Sequence, residues 1–274
     1  MWFDNFPFSQ TFHFGAVAVN PYGLAYLVSF LIAYTWLLRK ESREPLALSS
    51  HDVQRLLFYC LVAVLLGGRC AFLVADAWHD ATRVQYYLEH PVIALAFWLP
   101  GRTSFGGIAA VVFTLAIFSF RKGVRYFERL GDEVVVTLPL SFALVRIATF
   151  VTGSIPGSPC VPVHPWCVRF DGFVGLRYPA TLIEASIDLL TFPIVLWIHH
   201  RSRVSGATGW SWIVIYAIGR FIAETWREPG GMIWFFTDGQ VAALVMMGVG
   251  GTALAYVLSR AAKHPRAVAE RQPS

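Results

Sequence analysis

The sequence predicts an all-α, polytopic membrane protein with seven transmembrane helices. Its 274 residues are 56% hydrophobic and only 14% charged, whereas a soluble domain carries about 25% charged residues. Seven apolar stretches each approach the length of about 20 residues that a helix needs to cross the hydrocarbon. The basic residues behind the net charge of +5 mostly lie between these stretches, which is typical of membrane proteins. A soluble enzyme, a disordered chain and a coiled coil are therefore excluded, and we expect no nucleic-acid partner.

The third apolar stretch is too long for one straight helix and contains Pro100-Gly101 and Gly106-Gly107. Proline and glycine interrupt the backbone hydrogen bonds of a helix, and a bilayer tolerates such interruptions only against protein or a cavity. We therefore predict a re-entrant or broken segment near 92–107, followed by a span from about 105 to 120. The predicted stretches are 15–38, 55–74, 92–120, 133–153, 179–199, 209–226 and 237–259.

The connections between the stretches predict the orientation, because cytoplasmic connections carry an excess of Lys and Arg. One side holds 14 of the 22 basic residues and the other side holds 4. The N-terminus is therefore expected outside and the C-terminus in the cytoplasm. We predict one transmembrane domain, 1–260, with an outer loop at 154–178 and a basic cytoplasmic tail at 261–274. Cys160 and Cys167 share that loop, where a disulfide could form.

Apart from residues at the first two positions of a stretch, seven Arg, Asp and Glu side chains lie within the apolar stretches. A charge near the bilayer centre costs about 2.5–3.5 kcal/mol, so these groups must pair, reach water or bind something charged. One alternative is that they only pair with one another and hold the helices together. The seven are Arg69, Arg102, Arg146, Glu184, Asp188, Arg220 and Glu224.

The depth of the polar groups favours a binding site over an ion pathway. With the predicted orientation, Arg69, Arg146 and Glu184 lie in the outer halves of their spans. Tyr22 and Arg220 lie at the same level. A proton or ion pathway would need polar groups across the full thickness, and the inner halves carry almost none. The sequence therefore predicts a site that opens to the outer leaflet.

The sixth span carries the sharpest local pattern. Tyr216, Arg220 and Glu224 are spaced four residues apart and share one helix face. Arg227 continues that face to the water boundary, just before Glu228-Pro229, where the helix should end. Because acids are too few at this depth to neutralise each arginine separately, we expect an anionic ligand. Arginine favours phosphate, since its planar fork donates two parallel hydrogen bonds, and the phosphate of the outer leaflet belongs to a lipid headgroup.

At these residues the chain resembles the prolipoprotein diacylglyceryl transferases. The resemblance covers nearly the whole chain in order. Its most specific piece runs from Tyr216 through Pro229, which is similar to the family's sixth-span Tyr…Arg-Phe…Glu…Arg-Glu-Pro. The other pieces are Pro21-Tyr22-Gly23-Leu24-Ala25-Tyr26-Leu27, Gly67-Gly68-Arg69, Ser104-Phe105-Gly106-Gly107, Asp132 with Arg146 fourteen residues later, Tyr178 through Ala185, and Asp238-Gly239-Gln240.

The resemblance implies a multi-pass protein of the bacterial inner membrane with an outside N-terminus. It also implies the activity, which is transfer of the diacylglyceryl group of phosphatidylglycerol to the thiol of the lipobox cysteine in a prolipoprotein signal peptide. Glycerol phosphate is released. The expected partners are therefore phosphatidylglycerol, the signal peptide and the bilayer, and no cofactor or metal is implied.

The same resemblance implies the roles of individual residues. Arg146 and Arg220 would hold the headgroup phosphate, and Glu224 would orient Arg220, which makes these three the expected catalytic residues. Arg227 would lie at the mouth of the cleft. The expected substrate-binding residues are Tyr22, Tyr26, Arg69, Gly106, Gly107, Gly153, Glu184, Tyr216 and Arg227.

The chain departs from the family mainly at neutral polar and proton-handling positions. Phe105 stands where the family's His-Gly-Gly motif has its histidine, a candidate base for the thiol. Two hypotheses therefore stay open. The first is a diacylglyceryl transferase whose thiol loses its proton without that histidine, because nearby arginines lower the thiol pKa. The second is a protein of the same fold that binds phospholipid or signal peptide but uses another acceptor or performs no chemistry. The replaced positions are Phe105, Thr149, Thr152, Ser154, Tyr178 and Thr181.

Two other classes of membrane protein do not fit the sequence. A retinal protein needs a Schiff-base lysine in its last span, and residues 237–259 contain no lysine. A metal enzyme is not expected, because Glu184 and Asp188 are the one pair of ligand-type residues at ligand spacing within a span. We interpret that pair as a helix brace or as partners of an arginine.

Overall fold

The computed structural model describes residues 8–9, 11–14, 17–39, 46–95, 104–120 and 122–263. The chain is mostly helical, as predicted. It divides into a larger unit, Met1–Ala33 with Gly131–Ser274, and a smaller unit, Tyr34–Leu130. The helices are α1 (Pro21–Leu37), α2 (Ser50–His79), α3 (Thr82–Glu89), α4 (Pro91–Leu95), α5 (Ser104–Ser119), α6 (Val124–Val135), α7 (Leu138–Val151), α8 (Ala180–Arg201), α9 (Ala207–Ala223) and α10 (Asp238–Lys263), with a 3₁₀ turn at Glu224–Trp226.

Several of these helices indicate a multi-pass membrane protein. Among the described residues, three helices are long and apolar enough to cross a membrane, namely Ser50–Ala77, Ala180–Arg201 and Asp238–Lys263. A fourth span results if α6 and α7, which are bent by 45° at their break, are counted together. Pro21–Leu37 and Gly106–Ser119 are shorter apolar helices. Seven spans and the outside N-terminus stay predictions.

Two short hairpins interrupt the helical pattern. Strands β1 (Phe12–Phe14) and β2 (Val17–Val19) pair antiparallel, and so do β3 (Met232–Ile233) and β4 (Phe236–Thr237). Within the first predicted stretch, 15–38, Val17–Val19 therefore form a strand, and the helix starts only at Pro21. Proline suits the first helical position because that N–H has no partner within the helix.

The predicted re-entrant segment near 92–107 falls largely outside the described residues, since 96–103, including Arg102, are among those left out. On one side of the gap lies the five-residue helix α4, and on the other side α5 begins at Ser104. At the end of the chain, α10 continues to Lys263, into the predicted tail. The rest of that tail, 264–274, also lies outside the described residues.

In the smaller unit, α2 and α5 cross at glycines. A Cβ on Gly67 would overlap Ala110 Cβ and lie 2.7 Å from the Gly106 carbonyl oxygen. A Cβ on Gly106 would overlap Ala71 Cβ and the Gly67 carbonyl oxygen. Small residues at such crossings let two apolar helices approach closely. The start of α2 is fixed by a capping box between Ser49 and Asp52.

In the larger unit, α7 packs on α8, α8 on α9 and α9 on α10. Gly219 of α9 admits the Ile187 side chain, because an added Cβ would lie 2.6 Å from Ile187 Cγ2. Gly250 of α10 likewise admits the Ile213 side chain, because an added Cβ would lie 2.8 Å from Ile213 Cγ2. This close packing brings the polar side chains of three helices, α7, α8 and α9, to one place.

Candidate functional site

Glu184 is the centre of the candidate site. It lies in the second turn of α8 and is only 4% exposed. Its Oε1 accepts hydrogen bonds from Arg220 Nη1 at 2.7 Å and from Arg227 Nη1 at 2.9 Å. Its Oε2 lies 2.7 Å from Arg146 Nε. Within the described part of the chain, three guanidinium groups thus share one carboxylate.

Glu224 supplies a second carboxylate where α9 ends and the 3₁₀ turn begins. Its Oε2 lies 2.7 Å from Arg220 Nη2 and 3.8 Å from Arg227 Nε. Arg220 therefore bridges Glu184 and Glu224. We call the five residues Arg146, Glu184, Arg220, Glu224 and Arg227 the Glu184 cluster.

The basic and acidic members of the Glu184 cluster differ in exposure. The arginine side chains are 14–19% exposed, whereas both carboxylate side chains are 4% exposed. The carboxylates therefore lie behind guanidinium groups that still reach the surroundings. A guanidinium has five N–H donors, which is more than the contacts to Glu184 and Glu224 use. The cluster can thus present N–H donors to an anion.

The charge count made from the sequence did not predict these contacts. It treated the acids as too few to neutralise each arginine separately. In the structure, Arg146, Arg220 and Arg227 each contact a carboxylate, because Glu184 serves all three. Asp188, one turn further along α8 and 6% exposed, also interacts electrostatically with Arg146 and Arg220, in keeping with its interpretation as an arginine partner.

The helix that carries Arg220 is held at its other end by Asp132. The Asp132 carboxylate accepts hydrogen bonds from the Gly206 amide at 2.6 Å and from the Gly209 amide at 2.8 Å. These amides belong to the first turn of α9, whose N–H groups have no partner within the helix. Gly206 has a φ of 89°, in the region that favours glycine. Sequence reasoning noted Asp132 only as a motif position and missed this positioning contact.

Tyr216 lies one turn before Arg220 on α9 and is buried. Its ring stacks on Trp212, with centroids 5.3 Å apart, and contacts the edge of the Phe142 ring, also at 5.3 Å. These aromatic rings form the apolar layer beside the Glu184 cluster. A substrate contact at Tyr216 stays a prediction.

Hydroxyl groups meet at the end of α7, where the expected residues Tyr22 and Gly153 lie. Thr152 Oγ1 lies 2.7 Å from Ser154 Oγ and donates a long hydrogen bond of 3.5 Å to Tyr22 Oη. Gly153 has a φ of 64° and would set an added Cβ 3.2 Å from the Phe8 ring, so its position requires glycine. Tyr26, one turn after Tyr22, is partly buried. Binding of substrate by these residues stays a prediction.

The loop 154–178 is attached to the segment that carries Arg227. A disulfide joins Cys160 to Cys167 within the loop. The backbones of Gly157 and Arg227 pair as an isolated antiparallel β-bridge. The Ser158 amide donates a hydrogen bond to the Trp226 carbonyl at 2.9 Å. Beside them, Arg177 Nη1 donates to Glu228 Oε2 at 2.6 Å. The sequence allowed a disulfide between the two cysteines, which the structure contains, but it did not show that the loop would contact Arg227.

Three further residues expected at the site, Arg69, Gly106 and Gly107, belong to the smaller unit. Arg69 is 5% exposed, and its Nε and Nη2 donate to the Ala94 and Ile93 carbonyls at 3.0 and 2.7 Å. Gly106 lies at the crossing of α2 and α5, and an added Cβ on Gly107 would sit 3.6 Å from Val64. Their contact with substrate stays a prediction, and the Phe105 side chain falls outside the described part of the structure.

Comparison with known proteins identifies one family. The family model described as prolipoprotein diacylglyceryl transferase matches residues 9–256. A Rhodospirillum centenum protein named phosphatidylglycerol–prolipoprotein diacylglyceryl transferase is 33% identical over 247 residues, which cover 86% of each chain. Proteins of the same name from Geobacter sulfurreducens and Gluconobacter oxydans are 30% and 31% identical, over 91% and 92% of this chain and 94% and 93% of their own.

Proposed function

Since the chain belongs to the prolipoprotein diacylglyceryl transferase family, we propose that it transfers the diacylglyceryl group of phosphatidylglycerol to the lipobox cysteine of prolipoproteins. The proposed location is the outer leaflet of the bacterial inner membrane. One observation carries the proposal, namely that three partly accessible guanidinium groups of the described structure surround the buried carboxylate of Glu184. This arrangement suits a lipid phosphate.

The reaction needs charge stabilisation at the phosphate. The thiolate sulfur attacks the carbon of the diacylglyceryl group that is bonded to the phosphate oxygen, so that a carbon–sulfur bond forms and the bond from that carbon to the phosphate oxygen breaks. The bonding electrons leave with the oxygen of glycerol phosphate. Donors fixed in a site of low dielectric stabilise such developing charge at little reorganisation cost. Arg146 and Arg220 supply these donors in the proposed mechanism.

The carboxylates act by holding the guanidinium groups in place. Arg220 contacts both Glu184 and Glu224, so its planar fork has few orientations left. Arg227 hydrogen-bonds to Glu184 from the segment attached to the 154–178 loop. We propose that Glu224 orients Arg220, that Glu184 positions all three arginines and that Arg227 binds at the mouth of the cleft.

The thiol proton has no evident histidine acceptor among the motif positions, because Phe105 stands at that place. We propose that the positive cluster favours the thiolate and so lowers the pKa of the cysteine of the peptide. The proton then passes to water or to the departing glycerol phosphate, so that the thiol proton and the leaving group are both accounted for. This is the first of the two hypotheses left open by the sequence.

The second hypothesis rests on the same replaced positions as the first, among them Thr152 and Ser154, which stand where the family has an asparagine and a glutamate. Here the chain binds phospholipid or signal peptide with another acceptor or without chemistry. Neutral hydroxyl groups cannot take a thiol proton as a carboxylate can. These replacements favour the second hypothesis, and the transfer assay distinguishes it from the first.

Purified protein incubated with phosphatidylglycerol and a lipobox signal peptide tests the proposal. Mass spectrometry should find peptide that has gained one diacylglyceryl group, together with an equal amount of released glycerol phosphate. A peptide with alanine at the lipobox cysteine is the matched control and should stay unmodified. An unmodified cysteine peptide that still binds the protein would contradict transfer and support the second hypothesis.

A further inference from the structure

The hairpin between α9 and α10 exposes an apolar tip. Strands β3 and β4 pair Ile233 with Phe236 and leave Trp234 and Phe235 as a two-residue turn. Trp234 is 91% exposed and Phe235 is 88% exposed. Two neighbouring large aromatic side chains at one tip form an apolar surface that indicates an interaction site.

The backbone of the turn is unfavourable for these residues. Trp234 has a φ of 59°, in the left-handed region where bulky residues are rare. Two-residue hairpin turns normally place glycine, asparagine or aspartate there. Strain of this kind persists where a side chain has a function. The turn chemistry therefore does not explain the tryptophan, whereas a binding role for its side chain does.

The covalent chain places the hairpin beside the bilayer. Phe236–Thr237 leads without a linker into Asp238–Lys263, a helix long and apolar enough to span a membrane. The Phe236 ring also contacts Phe221 of α9, with centroids 6.0 Å apart. A helix that spans the hydrocarbon begins at a membrane–water interface. That interface is where tryptophan concentrates, because its ring is apolar and its N–H is polar.

We propose that Trp234 and Phe235 insert into the boundary between headgroups and acyl chains, in the leaflet at which α10 begins. The occupant of this surface is lipid. Only residues 228–231 separate the hairpin from Arg227, so insertion of the tip sets the depth of the Glu184 cluster relative to the lipid phosphates. This anchoring contact is separate from the substrate phosphate site and does not depend on catalysis.

A fluorescent label at the tip tests the proposal. Phe235→Cys is placed in a Cys60→Ala, Cys70→Ala background, because Cys60 and Cys70 are the free cysteines of the described chain. The labelled protein is reconstituted in vesicles of phosphatidylglycerol and phosphatidylcholine. A nitroxide attached near the lipid headgroup should quench the label about twofold more than one attached near the chain end, and aqueous iodide should quench it weakly.

Two further positions make the result decisive. Trp234→Cys repeats the measurement at the other tip residue, in case one variant folds poorly. Asp171→Cys labels an exposed polar residue of the 154–178 loop and should be quenched by iodide. Iodide quenching at 234 and 235 as strong as at 171 would overturn the proposal. Protection from iodide that arises only when a signal peptide is added would also overturn it, because the tip would then bind peptide. Since no outcome requires transfer activity, this result and the test of the proposed function are independent.

Discussion

Arg69 and Arg220 are both nearly buried arginines on apolar helices, but the protein satisfies them in different ways. Arg69, in the smaller unit, donates to the carbonyls of Ile93 and Ala94, in the short helix α4. Arg220, in the larger unit, contacts the carboxylates of Glu184 and Glu224. Backbone carbonyls accept hydrogen bonds but carry no net charge, whereas carboxylates also neutralise the cation.

The difference teaches how to recognise a functional arginine in an apolar segment. Backbone carbonyls cannot move away without unfolding their helix, so Arg69 has a fixed structural partner. The carboxylate of Glu184 is shared by three guanidinium groups that are themselves partly accessible. An incoming anion can join such a cluster, because the guanidinium groups keep further donors. We therefore expect substitutions in the two regions to affect different properties.

Glu184→Gln should have the largest effect. The neutral amide leaves three partly buried guanidinium groups without their shared counter-charge, and breaking a buried ion pair costs about 3–5 kcal/mol. We expect this loss in the free energy of unfolding, measured by denaturant titration in micelles, together with loss of transfer. Glu89→Gln, at an exposed acid of α3, is the control. A loss of stability no larger than that of the control would contradict the central position of Glu184.

Arg146→Ala and Arg220→Ala should each lower the rate of transfer by about 100-fold to 1,000-fold, the range found when one donor to a developing anion is removed. Initial rates of peptide modification measure the effect. Arg169→Ala, which removes an exposed arginine of the 154–178 loop, should leave the rate unchanged. Normal rates in both cluster variants would remove these residues from the site.

Arg69→Ala should lower the free energy of unfolding by about 2 kcal/mol, since it removes hydrogen bonds from a charged donor to partly buried carbonyls. The contacts with the carbonyls predict a KM for phosphatidylglycerol within about twofold of the wild-type value. Unfolding and kinetics are measured on the same preparation. A large rise in KM with normal stability would instead support the substrate contact that the family resemblance implies.

Gly239→Ala should lower the free energy of unfolding by about 1–2 kcal/mol, as denaturant titration would measure it, because overpacking typically costs about this much stability. An added Cβ at Gly239 would overlap the Glu224 carboxyl and push it away from Arg220. Gly248→Ala is the matched control on α10, since an added Cβ there would have no described neighbour within 4 Å apart from the adjacent residues and the backbone of its own helix. Shortening the acid makes room, so Glu224→Asp should partly restore transfer in the Gly239→Ala variant. The absence of any rescue would contradict this explanation.

The sequence was most informative at positions where a residue type costs much free energy in its surroundings. Charge in an apolar stretch costs much free energy, so the sequence could single out Arg146, Glu184 and Arg220, which the structure brings into contact. The apolar runs likewise predicted most of the helices, although β2 occupies the start of the first predicted span. Outside the apolar runs, the sequence carried less information.

Contacts that depend on tertiary packing could not be predicted. The sharing of Glu184 depends on the distance between three helices, and no residue spacing encodes it. The Asp132 contact joins positions more than 70 residues apart, and the attachment of Gly157 to Arg227 is equally distant in sequence. The two hairpins were missed because each strand has only two or three residues, too few to show an alternating pattern.

Phosphorus NMR of the protein in bilayer discs of phosphatidylglycerol tests the central claim most directly. We expect wild-type protein to show a lipid phosphate resonance that is shifted from the bulk lipid signal by contact with the guanidinium groups. The shifted resonance should disappear in Arg146→Ala and in Arg220→Ala and should persist in Arg69→Ala. A shifted resonance that survives in both cluster variants, or one that is lost only with Arg69, would show that the Glu184 cluster does not hold the phosphate.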